Sequence, residues 1–106
     1  FAIKRIYYIH DVPAGVQRGG HAHKKLRQLL WCPYGKILIK LDDGFEKAEV
    51  LLDSADKGLI VESNMWRDML WQQDNSVLCV AADSFYDAAD YIRDYEEFLR
   101  HVGARQ

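Results

Sequence analysis

Short apolar runs rich in β-branched and aromatic residues recur along most of this chain, and at residues 36–41 apolar and polar residues alternate as they do in a half-buried β-strand. At residues 3–9, one face of the predicted strand carries Ile3, Arg5, Tyr7 and Ile9. Further strands are predicted at residues 21–23, 28–32, 36–41, 48–52, 58–62 and 76–82. Turn residues such as Asp43 and Gly44 separate them, and residues 11–20 have the composition of a loop. Many short strands joined by turns predict a mainly β fold, either a barrel or a sandwich.

The last part of the chain has a different period. From Asp90 onward, apolar residues recur at helical spacing, namely Tyr91, Ile92, Tyr95, Phe98, Leu99 and Val102. This pattern predicts one amphipathic helix that packs on the strands. The acidic residues Asp87, Asp90 and Asp94 lie near its predicted start, where carboxylates are favourable.

Length and charge limit the classes of protein to consider. The 106 residues suffice for one domain with a single core. A net charge of −2 gives no electrostatic reason to expect nucleic acid or a membrane as partner. The chain has no apolar run of membrane-spanning length and no signal-peptide pattern, and Cys32 and Cys79 lie in apolar stretches. We therefore expect a cytoplasmic protein with two buried free thiols.

Two histidines, His21 and His23, stand two residues apart beside the glycines of residues 19–20. In an extended strand, residues i and i+2 point to the same face. Neighbouring imidazoles that titrate near neutral pH suit either metal binding or proton transfer. The sequence around them decides between these two chemistries.

The spacing from His21 and His23 to Gln28 and Gly35 resembles the first motif of the cupin superfamily, in which two histidines, a glutamate and a glycine lie on a small β-barrel. Gln28 stands where the metal-binding cupins have a glutamate ligand. The second cupin motif supplies another histidine, but residues 58–69 contain none. A transition metal usually needs at least three suitable protein ligands. We therefore favour proton transfer and expect no metal.

Over its whole length, the chain resembles the sugar nucleotide 3,4-ketoisomerases, which are cupins that act on dTDP-4-dehydro-6-deoxyglucose. The resemblance is carried by six blocks in order, at residues 3–9, 11–13, 18–24, 41–44, 66–69 and 86–93. It implies a cupin (jelly-roll-like) β-barrel with a C-terminal helix, formed by residues 1–106 as a single domain. It also implies an enzyme without metal or other cofactor that forms a homodimer. From the resemblance we also expect that the family's N-terminal strand segment, which precedes the match to Phe1, is absent.

The resemblance assigns roles to individual residues. His21 is the base that removes and returns the carbon-bound proton, while His23 and Tyr7 relay protons between the two oxygens or steady the enediolate. Histidine suits this chemistry because its pKa lies near the working pH. The substrate-binding candidates are Arg5 and Arg18 for the pyrophosphate, Arg67 near the sugar and Trp66 for stacking. By resemblance, an arginine at residue 67 accompanies the gluco-configured 3-keto product.

Three alternatives remain open from the sequence. One is a metal-dependent cupin, and a second is an epimerase that acts on a dTDP-sugar with a histidine base. The third is a non-catalytic cupin that binds a sugar nucleotide without turnover. The preferred hypothesis is an isomerase that moves the ketone from C4 to C3, for the synthesis of 3-amino-3,6-dideoxy sugars of surface glycans such as the O-antigen.

Overall fold

The computed structural model describes residues 1–104, which form nine antiparallel strands, one 3₁₀ turn and one α-helix. The elements are β1 (Arg5–Ile9), β2 (Gln17–His23), β3 (Gln28–Tyr34), β4 (Ile37–Asp42), β5 (Lys47–Leu52), β6 (Gly58–Val61), β7 (Trp66–Trp71), β8 (Val77–Ala82), the 3₁₀ turn (Ala88–Asp90), β9 (Tyr91–Ile92) and α1 (Tyr95–His101). The predicted mainly β fold with one C-terminal helix is confirmed.

The strands form two sheets, with the orders β1-β8-β3-β6 and β5-β4-β7-β2-β9. The sheets are not closed into a barrel, so the prediction of a barrel is wrong and the sandwich is the architecture observed. Closure would require an edge strand of one sheet to pair with an edge strand of the other. In the described residues, β1 and β6 remain the edges of the first sheet, and β5 and β9 those of the second.

The main core fills the space between the two sheets. The inward residues of β4 and β7, Ile37, Ile39, Met69 and Trp71, meet those of β3 and β8. Trp71 is fully buried, and its indole N–H donates to the Ser76 carbonyl at 2.8 Å, which satisfies its one polar group. The alternation seen in the sequence therefore separates a buried inner face from an outer face in these strands.

A second apolar cluster attaches α1 to the outer side of β2. Its buried members are Ala22, Ile92, Phe98 and Leu99. The helix begins at Tyr95 and not at Asp90 as predicted, because the preceding residues are extended. Ile92 and Tyr91 pair with Ala22 and His23 of β2, and the Asp94 side chain caps the helix by accepting from the Glu96 N–H at 3.1 Å.

Both cysteines are free thiols, as predicted, but only Cys32 is buried, and the prediction that Cys79 is buried is wrong because it is partly exposed. Cys79 lies opposite Trp31 in the β3–β8 ladder, and Cys32, the next residue of β3, is buried in the core. Successive strand residues point to opposite faces, so the two sulfur atoms lie on opposite sides of this sheet. Within residues 1–104, no helix has both the length and the apolar composition needed to cross a membrane.

Candidate active site

Polar side chains line one end of the space between the sheets. In the first sheet, Arg5 and Gln28 lie on either side of Ala82 in one cross-strand row. In the second sheet, His21 lies opposite Arg67. Directly opposite residues share a face, so both rows point inward. The next inward row of the first sheet contains Tyr7, and core residues close the bottom of the site, namely Val80 and Leu30 in the first sheet and Met69 and Ile39 in the second.

A β-bulge in β2 turns the histidines toward this space. The register shifts between Gly19 and His21, and Gly19 and Gly20 have φ values of 93° and 72°. A Cβ on Gly19 would lie 2.8 Å from the Arg67 carbonyl oxygen, so only glycine fits there. β2 begins at Gln17, inside the predicted loop, because residues 17–19 pair with residues 68–70 of β7. The ring centroids of His21 and His23 are 5.0 Å apart, which confirms that they share one side of the strand.

His23 is fully buried and is held by Asp90. Its Nδ1 lies 3.1 Å from Asp90 Oδ2, and its ring packs edge-on against Tyr91 at 4.3 Å between centroids. Its Nε2 is buried and has no hydrogen-bond partner among the described residues. Burial, with a contribution from the Arg67 charge, lowers the pKa of His23 to about 4, although Asp90 acts in the opposite direction.

His21 experiences a similar environment. Its ring centroid is 5.1 Å from that of Tyr91. Burial and then the Arg67 charge lower the pKa of His21 to about 4. Both pKa values lie below the near-neutral range expected from the sequence, so both imidazoles are neutral at pH 7. Each has one nitrogen with a free lone pair that can accept a proton.

A buried hydrogen-bonded chain faces the histidines. Arg67 is 1% exposed, and its Nη1 donates to Gln28 Oε1 at 2.6 Å. The Gln28 amide nitrogen in turn donates to the Tyr7 hydroxyl at 3.2 Å. Arg67 also donates to the carbonyl of Met65 from Nε at 3.2 Å and from Nη2 at 2.9 Å. Because its amide accepts from one neighbour and donates to the other, Gln28 links Arg67 to Tyr7.

The hydrogen-bonded chain of Tyr7, Gln28 and Arg67 carries one positive charge, on Arg67. Burial lowers the pKa of Arg67 to about 10, so the guanidinium stays protonated at neutral pH. Burial is also the main cause that raises the pKa of Tyr7, so its phenol is protonated. Since the Tyr7 hydroxyl accepts from Gln28, its own hydrogen is available for a ligand.

These residues do not fit a transition metal. In the part of the chain that the structure describes, no three His, Cys, Asp or Glu side chains lie close enough together to hold an ion. Gln28 occupies the position of the cupin glutamate, but its amide oxygen already accepts from Arg67. A guanidinium has no lone pair to offer a metal and repels a cation.

An open cleft of about 350 Å³ lies beside the site and is lined by Arg5, Ile6, Tyr7, Tyr86 and Tyr91. The Arg5 guanidinium lies 4.8 Å from the Tyr7 ring centroid and 5.9 Å from that of Tyr86. Its Nε is buried without a partner among the described residues. The cleft therefore offers a cation and aromatic faces next to the neutral histidines.

Two predicted site residues do not join this cluster. Arg18 lies on β2 opposite Met69 and is exposed, and none of the hydrogen bonds or ring contacts of residues 1–104 links it to the histidines. Trp66 packs in the helix cluster, with its ring 5.3 Å from Tyr95 and 5.7 Å from Phe98. It precedes Arg67 in β7, so it points to the opposite side of the sheet.

Three residues of the site are not predicted from the sequence. Gln28 is predicted only as a replacement for a metal ligand, although a buried amide needs partners on both of its ends. Asp90 and Tyr91 fall within the predicted helix. The N-cap residue Asp94, which follows the apolar pair Tyr91 and Ile92, is the signal that could have shown an extended segment before the helix.

Comparisons with known proteins identify the family of this chain. The family model described as FdtA, WxcM-like, C-terminal matches residues 1–103. The TDP-4-oxo-6-deoxy-α-D-glucose-3,4-oxoisomerase of Aneurinibacillus thermoaerophilus is 43% identical over 102 residues, which are 96% of this chain and 73% of the relative.

Solved structures give the same result. A 3,4-ketoisomerase from Helicobacter canadensis superposes with a TM-score of 0.94 at 45% identity, covering 97% of this chain and 77% of the other. A mutant of the 3,4-ketoisomerase QdtA from Thermoanaerobacterium thermosaccharolyticum, in complex with TDP-4-keto-6-deoxyglucose, has a TM-score of 0.94 at 37% identity, covering 99% and 76%. The rmlC epimerase of Mycobacterium tuberculosis (TM-score 0.74, 22% identity, covering 84% and 50%) shares the fold alone. The chain has a cupin-like fold and belongs to the FdtA/WxcM-like family, whose relatives include TDP-sugar 3,4-ketoisomerases.

Proposed function

We propose that this protein is an isomerase that moves the ketone of dTDP-4-dehydro-6-deoxy-D-glucose from C4 to C3 through an enediol(ate). The observation that carries the proposal is the pair of neutral, inward-facing histidines beside the Tyr7–Gln28–Arg67 chain. Relatives named for this reaction, with 43% identity in one case, support it. A structural relative holds TDP-4-keto-6-deoxyglucose, which supports the same ligand here.

In the proposed reaction, His21 removes the proton from C3. The C3–H electrons form the C3–C4 double bond, and the C4 carbonyl takes up the charge on its oxygen. The C3 hydroxyl then loses its proton while the C4 oxygen gains one, and His21 returns the carbon-bound proton to C4. A neutral imidazole with a free lone pair can act as the first base, and the resulting imidazolium can act as the final acid.

Arg67 stabilises the negative charge that develops on the enediolate. Its guanidinium is buried and positioned before the reaction by Gln28 and by the Met65 carbonyl. A fixed cation in a site with little water stabilises such a charge far more than a solvated one would. Tyr7 donates its hydroxyl hydrogen to one of the two oxygens. The gluco-configured product at C4 remains a prediction from the arginine at residue 67.

The nucleotide binds in the cleft next to Arg5. An arginine fork pairs well with phosphate oxygens, and the aromatic rings of Tyr86 and Tyr91 offer faces for the base or the sugar. Binding of the pyrophosphate by Arg18 and stacking by Trp66 stay predictions from the resemblance.

The decisive experiment incubates the protein with dTDP-4-dehydro-6-deoxyglucose in deuterated buffer and follows the product by NMR. We expect the ketone at C3 and deuterium at C4, because the abstracted proton exchanges with solvent on the imidazole. His21→Asn should keep binding of the nucleotide and lose turnover. Folded wild-type protein that binds the sugar nucleotide without converting it would identify a binding module, and inversion at a carbon would identify an epimerase.

The reaction is proposed to need no metal, which follows from the donor set described above. Full activity is expected after dialysis against a chelator, with elemental analysis of the same sample. A loss of activity that one equivalent of iron, manganese or zinc restores would favour the metal-dependent alternative. The cytoplasmic location remains a prediction. That the product feeds the synthesis of deoxyamino sugars is also a prediction, which is supported because an aminotransferase needs a ketone at C3 of its substrate.

A homodimer is proposed on the basis of the outer face of the first sheet. Two of its cross-strand rows are apolar throughout, Ile6–Ala81–Leu29–Ile60 and Tyr8–Cys79–Trp31–Gly58. Ile6, Tyr8 and Ile60 are 64%, 64% and 54% exposed. A contiguous apolar sheet face of this kind marks an interaction surface. If two copies pack through this face, each copy buries its own apolar rows against those of the other.

Light scattering of two matched variants tests this interface. Ile60→Lys places a charge on the apolar rows and should yield monomers. Leu51→Lys changes an exposed apolar residue on β5 of the other sheet and should leave the dimer intact. Dissociation by Leu51→Lys alone, or a wild-type monomer, would contradict the proposal.

A further inference from the structure

The Asp90 carboxylate contacts His23 and also accepts hydrogen bonds from two backbone N–H groups. Its Oδ1 accepts from the Lys25 N–H at 2.8 Å, and its Oδ2 accepts from the Leu26 N–H at 3.4 Å. The backbone of Asp90 is held as well, because its carbonyl accepts from the Lys24 N–H at 2.9 Å. These backbone contacts hold the carboxylate in position independently of its contact with His23 Nδ1 at 3.1 Å.

The arrangement determines which nitrogen of His23 carries the proton. An ionised carboxylate only accepts hydrogen bonds, so the close contact requires a hydrogen on Nδ1. In a neutral imidazole, Nε2 then holds the lone pair. Nε2 is also the buried atom that has no partner among residues 1–104. A buried acceptor without a donor is costly, unless a bound ligand supplies the donor.

We propose that Asp90 is a positioning residue that fixes His23 in the Nδ1–H tautomer, so that its Nε2 takes a proton from a substrate hydroxyl. The catalytic part rests on the isomerase proposed above, whereas the tautomer does not. In the reaction, the O–H bond at C3 breaks as the Nε2–H bond forms. The proton then passes from Nε2 to the oxygen on C4, and His23 returns to its starting state.

Asp90 also balances the charge of this relay. While His23 holds the extra proton, it is an imidazolium close to the positive Arg67, which disfavours it. The carboxylate lies on the opposite nitrogen and favours the charged ring. The same side chain therefore orients the ring and lowers the cost of its transient charge.

Asp90→Asn provides a sharp test because the amide cannot reproduce the three acceptor contacts. If the Asn oxygen keeps the short bond to the Lys25 N–H, the amide NH₂ takes the place of Oδ2. It then faces His23 Nδ1 and can only donate to it. The His23 proton would have to move to Nε2, which becomes a donor and can no longer accept the hydroxyl proton.

The experiment measures ¹⁵N shifts of His23 by NMR near pH 7.5 in wild type, Asp90→Asn and Asp87→Asn. Asp87 is the matched control, because it caps the preceding 3₁₀ turn through the Ala89 N–H and its replacement removes the same charge from the same loop. We expect an Nδ1–H signature in wild type and Asp87→Asn, and an Nε2–H signature in Asp90→Asn. Asp90→Glu keeps a carboxylate and should retain the Nδ1–H form.

Kinetics supply the second readout. For Asp90→Asn we expect kcat to fall about 100-fold or more with little change in KM, since acid–base groups contribute about 10²–10⁴-fold. Asp87→Asn should stay near wild type. An Nε2–H signature in wild type, or an unchanged tautomer in folded Asp90→Asn, would overturn the proposal. If Asp90→Asn does not fold, the spectra of wild type and Asp90→Glu decide. If wild type shows the Nδ1–H form but no isomerase activity, the positioning stands and only the proposed reaction fails.

Discussion

Replacing His23 by Asn tests whether the buried imidazoles make this fold sensitive to acid. The amide nitrogen of Asn can take the place of Nδ1 and donate to Asp90, while the titratable ring is lost. Burial lowers the pKa of His21 and of His23 from 6.5 to about 4 in the folded protein. As the pH falls below 6.5, the unfolded chain binds protons that the folded protein excludes until about pH 4. The free energy of unfolding therefore decreases in that window.

The magnitude follows from the two pKa values. Each fully shifted imidazole costs about 2 kcal/mol of stability between pH 7 and pH 5, at about 1.36 kcal/mol per unit. Wild type should lose about 4 kcal/mol from the two histidines, and His23→Asn about 2 kcal/mol. Domains have about 5–15 kcal/mol in total, so the difference is readily measured.

Urea unfolding followed by tryptophan fluorescence at the two pH values gives these free energies, provided that the m-values agree. His10→Asn removes an exposed imidazole and is the control, expected to behave as wild type does. The carboxylates are the same in all three proteins, so their contribution to the change in the free energy of unfolding cancels when the proteins are compared. Equal losses in wild type and His23→Asn would refute the reasoning, because the ring would then titrate alike in both states.

Three further predictions concern the site and the core. Arg67→Met should lower kcat about 100-fold or more, because the enediolate loses its buried cation; activity near wild type would remove Arg67 from the mechanism. Gly35→Ala should destabilise the fold more than Gly15→Ala in urea, although both glycines have positive φ. A Cβ on Gly35 would collide with the Ser76 side chain, whereas one on Gly15 meets nothing within 4 Å, so equal losses would show that backbone strain alone matters. Phe98→Ala should cost about 3–5 kcal/mol, as large cavities in a core do; a loss below about 1 kcal/mol would mean that α1 contributes little to stability.

Local patterns in the chain were sufficient for much of the fold. Apolar runs and alternation predicted most of the strands, because a strand that packs on a core buries at least one of its faces, but β7 was not predicted. The same rule placed His21 and His23 together, since only one residue lies between them. Prediction failed where backbone pairing overrode the side-chain pattern, as at residues 90–94, where pairing with β2 replaced the predicted helix start.

The sequence by itself determined a mainly β chain with a histidine pair, too few metal ligands and a C-terminal helix. Only the tertiary structure decided what those histidines meet. Asp90 is 67 residues from His23, and Arg67 is 39 residues from Gln28, so strand pairing and not local spacing brings them together. Whether the sheets close into a barrel was likewise decided by tertiary structure. Edge pairing between distant strands depends on their twist and position, which no short stretch of sequence encodes.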